Sequence, residues 1–91
     1  MEMKKIYVKH FFEEENIWFF YEIIDGWACR QVEIWPNESR FLSEKIPHHK
    51  DSMLADQKFE DLNSTFDEKN FISAQDFEEQ WNKRLRSKDD Q

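Results

Sequence analysis

Three histidines, one cysteine and twenty aspartates and glutamates are the side chains from which this sequence could assemble a catalytic or metal centre. His48 and His49 are adjacent. Neighbouring residues on an extended chain point to opposite sides, so the pair does not chelate one ion, and His10 has no companion at ligand spacing. No metal site is expected. Cys29 falls inside an aromatic and β-branched run, where a thiol is a packing group, and no serine sits in a nucleophile–base arrangement. Loops that cradle phosphate need glycine where the backbone approaches the ligand. The one glycine, Gly26, is already used, because Asp25-Gly26 between two apolar runs is a hairpin signal. Carboxylates are abundant, but without a pocket they say little about acid–base chemistry. The reading is that the protein is not an enzyme and takes no cofactor.

What remains is charge and aromatic surface. Acids outnumber bases 20 to 13, a formal charge of −7, and that sign opposes the counterion release that drives nucleic-acid binding. Direct contact with DNA or RNA is disfavoured. The excess is uneven: residues 51–79 hold nine acids against Lys58 and Lys69, so this segment carries the whole net charge. Such a field either steers a basic partner or forms a solvated acidic face. A lone cysteine points to a reducing cytoplasm. There is no apolar stretch of signal-peptide or membrane-span length, so no membrane association is expected and the mature protein is expected to be the whole chain.

The elements that must position these residues follow from pattern. At 91 residues with 16% aromatic side chains, one small core built from large rings is expected, with a single domain over 1–86 and a flexible tail at 87–91. Residues 4–12 alternate, Ile6 and Val8 on one face against Lys5, Tyr7 and Lys9. Ile17 to Ile24 is the strongest strand, Trp27 to Trp35 pairs with it across Asp25-Gly26, and Arg40 to Ile46 is a fourth strand. In the third strand Ala28, Arg30, Val32 and Ile34 share one face and Trp27, Cys29, Gln31, Glu33 and Trp35 the other. Neither face is purely apolar, so the burial side stays open. A short helix is expected within Met53 to Asn63, burying Leu54, Phe59 and Leu62. A longer C-terminal helix begins at the N-cap Ser73, with Asp76 completing a capping-box-like arrangement. It carries Ala74, Phe77, Trp81 and Leu85 at helical spacing and Lys83, Arg84 and Arg86 in its last turn. The fold class is α+β: an antiparallel four-stranded meander packed by one short and one longer helix. With one face of the sheet covered, Trp18, Phe20, Trp27 and Trp35 cannot all be buried, and each either completes the core or a dimer interface or stands exposed.

The segments "YVKHFF", "YEIIDGWACRQVEIW", "FEDLN" and "ISAQDFEEQW" resemble a family of small bacterial proteins. The matching positions are Val8, His10, Tyr21, Glu22, Trp27, Arg30, Val32, Glu33, Asn63, Ile72, Phe77, Glu78 and Trp81. Members of that family resemble immunity proteins encoded beside polymorphic toxins, including those of contact-dependent growth inhibition systems. The resemblance implies neutralisation of a cognate toxin domain by tight binding. The sequence departs from the family pattern after the third strand, where Pro36, Asn37 and Glu38 replace an Asp-Gly turn, and in a shorter connection before the final helices.

Combined with the segregated charge, this gives the expected function: a cytoplasmic immunity protein that occludes a basic toxin such as a nuclease, its carboxylates standing where substrate phosphates would. The expected partner-binding residues are Glu13, Glu14 and Glu15 on one loop and Asp56, Glu60 and Asp61 on the acidic segment, with Trp18 or Trp35 as anchor. A monomer is favoured. The alternative is a structural or adaptor protein, homodimeric or not, with no toxin partner.

Overall fold

In the computed structural model, which describes residues 4–56 and 58–85, residues 5–43 form the antiparallel meander that alternation and turn chemistry predict. Strands β1 (Lys5–Phe12), β2 (Ile17–Ile24), β3 (Trp27–Ile34) and β4 (Ser39–Ser43) pair in chain order. The fourth strand stops three residues short of the expected Ile46, because Ser43 turns the chain: its hydroxyl accepts from the Ile46 amide and its own amide donates to the Ile46 carbonyl. The Asp25-Gly26 turn has both residues at positive φ, 52° and 91°, the geometry whose twist matches antiparallel strands.

Three features were not legible from the pattern. A two-residue ribbon, β5 (His48–His49) with β6 (Ser52–Met53), follows the meander. The short helix α1 spans Leu62–Thr65 rather than lying within 53–63, because Asp61 is its N-cap and accepts from the Ser64 amide. After a 3-10 turn at Glu68–Asn70, strand β7 (Phe71–Ile72) adds a fifth strand beside β1, and helix α2 (Ala74–Trp81) follows.

β7 is where the chain changes sides. Successive strand residues point to opposite faces. Phe71 therefore joins the cluster of Val8, Ile23 and Phe66, with Phe59 and Leu62 from the segment that covers this first face. Ile72 joins Phe20, Val32 and Phe77, the cluster that α2 covers on the second face. The Asn70 side-chain amide donates to the Lys9 carbonyl at 2.8 Å and fixes the crossing. Both faces are thus covered, which overturns the expectation of one open face. Phe20 goes to the core, while Trp18 and Trp27 remain 36% and 49% exposed.

A register shift next to Glu22 changes the reading of β3. Glu22 pairs with Arg30 and Ile23 with Ala28, leaving Cys29 as an extra residue between them. Ala28 therefore faces the first side with Gln31 and Glu33, and not the second with Arg30 and Val32 as strict alternation predicts.

The first face also holds a buried polar cluster that ties the ribbon to the sheet. Glu33 accepts from Ser52 Oγ at 2.5 Å, Gln31 Nε2 at 2.7 Å and Trp35 Nε1 at 2.9 Å. Arg40, its cross-strand neighbour, donates to Ser52 Oγ and to Asp51 and Glu38. The Gln31 side chain accepts from the Ala55 amide and donates to the Met53 carbonyl, doing for residues 53–55 what a strand neighbour would.

Gly26 is required for two reasons. Its φ is in the left-handed region, and a Cβ there would stand 2.9 Å from Lys58 Cε and 3.2 Å from the Phe59 carbonyl oxygen, whose residue donates its amide to Gly26. Gly26→Ala is expected to lower stability by about 1–2 kcal/mol, read as a shifted denaturant midpoint at unchanged m. An unchanged midpoint would show that the turn relaxes without cost.

Candidate functional site

The groups capable of chemistry stay apart in the fold. His48 and His49 are exposed, His10 lies on β1 remote from that ribbon, and among the described residues no group of three His, Cys, Asp or Glu side chains could hold a metal ion. Burial pushes the Cys29 thiol up from its ordinary value, which disfavours the thiolate. The Sγ sits 3.6 Å from the Trp27 carbonyl at the bulge.

One surface that combines an exposed ring with acids is at the end of the sheet where β1 turns into β2. Glu13, Glu14, Glu15 and Asn16 form that turn, with Asn16 at φ 57°. A turn that must project into water is well served by consecutive charged residues, and the three glutamates are exposed. Two residues on, Trp18 packs on its cross-strand partner Phe11 at 4.9 Å between ring centroids and on Phe20 at 6.2 Å, with Lys9 Nζ 5.5 Å from its ring. Grooves open on both sides of the indole. One, of about 560 Å³, runs between Trp18, Phe11 and Glu13 and the 3-10 turn residues Lys69 and Asn70 with Asp67 just before them. The other, of about 440 Å³, runs between Trp18 and α2, with Phe20, Ile34 and Ile72 as its floor and Asp76, Glu79 and Gln80 as its far wall.

That far wall is positioned by Arg30. Its guanidinium donates Nε and Nη2 to the two oxygens of Glu22 at 2.8 and 2.7 Å, and Nη1 and Nη2 to Glu78 of α2 at 3.2 and 2.5 Å. It lies over the rings of Phe77 and Trp81 at 5.0 and 5.1 Å. The Tyr7 hydroxyl donates to Glu22 at 3.1 Å, completing the carboxylate's shell. At the start of α2 the Ser73 hydroxyl accepts from the Asp76 amide, as the sequence predicts. Phe77 is fully buried and Trp81 partly so, but Ala74 and Leu85 are exposed, so the expected stripe narrows to two rings. Arg84 covers Trp81 at 4.7 Å and donates to its carbonyl, while Arg86 and the expected tail lie outside the described residues.

The expected partner-binding residues divide into two groups. Glu13, Glu14, Glu15 and Trp18 come together at the grooved end. Trp35 is near that end too, but its Nε1 is bonded to Glu33 and Arg40 stacks on its ring at 4.0 Å, so its interactions are internal. Asp56, Glu60 and Asp61 lie at the opposite end, near the Asp25-Gly26 turn. Glu60 and Asp61 border a groove with Lys4 and Lys58, and Asp56 borders one with Trp27 and Met53. The block of nine acids is not a uniform field. Asp51 is paired with Arg40, Asp61 caps α1, and Glu78 is paired with Arg30. Asp76, Glu79 and Gln80 escaped the sequence reading as site residues. Their i, i+3, i+4 spacing marks one helix face, but nothing local says which strand that face overlooks.

No protein-family model, no curated protein and no solved structure matches the chain. No helix among the described residues is long and apolar enough to cross a membrane.

The clamp makes stability pH-dependent. Hydrogen bonding to Arg30 holds the Glu22 carboxyl below its ordinary value of 4.5, against an opposing effect of burial. A depressed carboxylate pKa stabilises the fold above that ordinary value, and the gain is lost as pH falls through the folded-state pKa. Glu38, beside Lys50, and Asp51, beside Arg40, are lowered in the same direction. Glu22→Gln should therefore be less stable at neutral pH and lose less stability on acidification than the parent. Denaturant unfolding compared between about pH 7 and pH 3 tests this; parallel stability–pH curves would remove Glu22 from the account.

Proposed function

We propose that the protein is an immunity protein that binds a cognate bacterial toxin domain, a basic nuclease, in the cytoplasm and covers its active site. The observation that carries this reading is the end of the sheet where Trp18, more than a third exposed, stands between two grooves, one walled by Asp76 and Glu79 and the other bordered by Glu13, Asp67 and Lys69. An indole already packed against Phe11 and Phe20 loses little freedom on binding, so its contact area converts efficiently into affinity. Glu13, Glu14 and Glu15 project from the same end and attract a basic surface before contact, which raises the rate of encounter. The residues that carry the resemblance to toxin-immunity proteins, among them Glu22, Arg30, Phe77, Glu78 and Trp81, are those that clamp α2 to the sheet. They build the scaffold and leave the contact surface free to differ between partners.

A second reading, an adaptor or homodimer, is favoured by one observation. At the other end, Trp27 and Met53, each 49% exposed, line one groove, and Ile46 nearby is 61% exposed. Sedimentation at micromolar concentration separates the readings: a monomer that binds the neighbouring gene's product supports immunity, and a stable dimer without such binding supports the alternative.

Co-expression with the adjacent toxin gene, pull-down and growth rescue test the proposal directly. Trp18→Ala is expected to weaken the complex by roughly 30-fold or more, mainly through faster dissociation. Reversing Glu13, Glu14 and Glu15 to lysine should slow association and flatten its salt dependence. If affinity and protection survive both changes, this end of the molecule is not the contact surface.

A further inference from the structure

We infer that the groove between Trp18 and α2 receives an arginine side chain of the bound partner. This rests on the immunity reading and assigns the chemistry of its central contact.

The lining selects the occupant. Phe20, Ile34 and Ile72 make an apolar floor suited to a methylene stem, while Asp76 and Glu79 stand exposed on the helix wall where a cationic head would end. Lys9 is the one cation of the lining, and its ammonium already lies by the Trp18 ring, so the carboxylates dominate the far wall. Gln80 completes the far wall with a neutral side chain. A purely apolar occupant would strip water from two carboxylates; an anionic occupant would be repelled by them. A guanidinium supplies several donors in one plane, enough for two carboxylates, and its faces stack on rings, which a lysine ammonium does less well.

The molecule contains its own version of this arrangement. Arg30 sits between carboxylates of the sheet and of α2, over Phe77 and Trp81. The groove repeats the pattern on the adjacent face of the same helix, with aromatic residues Trp18 and Phe20 and acids Asp76 and Glu79, which bracket Glu78, but with no arginine of this chain in its lining.

The test uses the intact protein, isotopically labelled, titrated with N-acetyl-arginine-amide, with the citrulline analogue as a neutral isostere. Saturable NMR shifts at the Trp18 indole N–H and the Gln80 side-chain amide are expected, with a Kd of about 1 mM, the range open to so small a ligand. Citrulline, and the Asp76→Asn/Glu79→Gln variant with arginine, should each bind at least about tenfold more weakly. Glu79→Gln alone, on an exposed helix face, should show a smaller loss with an unchanged unfolding midpoint, which separates recognition from any damage to α2. Equal binding of citrulline, no saturation by about 20 mM, or no effect of Glu79→Gln would overturn the proposal. The titration needs no toxin, so a negative result removes the arginine pocket while leaving the immunity reading intact, and a failure to find any toxin partner leaves the titration result standing.

Discussion

The guanidinium of Arg30 is the interaction on which the arrangement of this protein depends. It is the point where β2, β3 and α2 meet: two carboxylates, from Glu22 in the sheet and Glu78 in the helix, converge on one cation. The chemistry is internally consistent. Glu22 is nearly inaccessible, a costly place for a lone carboxylate, yet it accepts three hydrogen bonds from Arg30 and Tyr7 and is flanked by the aromatic residues of the second face. Phe77 and Trp81 supply the apolar contact of α2, and apolar contact alone tolerates rotation or sliding. The forked pairing fixes the helix against one residue of β3, and the site follows from that placement, because Asp76, Glu79 and Gln80 face Trp18 only when α2 is held at this position.

A second constraint is the two-sided apolar sheet. β1 and β2 carry large apolar residues on both faces, so neither face can stay open to water, and 91 residues leave little chain with which to cover both. The solution is economical. An irregular segment tied down by the Gln31, Glu33, Arg40 and Ser52 cluster covers one side, β7 carries the chain past the β1 edge, and eight residues of helix cover the other. Because α2 runs across the strands, from Tyr7 of β1 beside Phe77 to Phe41 of β4 beside Trp81, it leaves the end of the second face near the β1–β2 turn unfilled. The groove beside Trp18 is that unfilled end. Its existence is a consequence of the direction in which the helix crosses the sheet, and its acidic wall is a consequence of which helix residues are left over once Phe77, Glu78 and Trp81 have turned inward.

This also revises the meaning of the negative charge. In the sequence the acids of residues 51–79 read as one block. In the fold they are distributed over both faces and both ends, and Asp51, Asp61 and Glu78 are engaged in a salt bridge, a helix cap and the Arg30 clamp. The electrostatic surface at the grooved end is instead assembled from residues far apart in the chain, Glu13 to Glu15 with Asp76 and Glu79. In the proposed immunity function, that assembly would couple steering at a distance with a specific pocket at contact.

What the sequence determined by itself is what depends on neighbours a few residues away. Alternation placed β1 and β2, Asp25-Gly26 placed the turn between β2 and β3, Ser73 placed the start of α2, and Phe77 with Trp81 marked its inner face. Each rests on a side-chain period or a backbone preference that acts locally. The tertiary structure alone decided the rest. The bulge at Cys29 put Ala28 and Arg30 on opposite faces, β7 made the sheet two-sided in its coverage, and Trp35 was engaged by Arg40 while Trp18 was left in water. The Arg30–Glu78 contact joins residues 48 positions apart. No local pattern encodes such a pairing, because its energy comes from burial and geometry that exist only once the helix has docked.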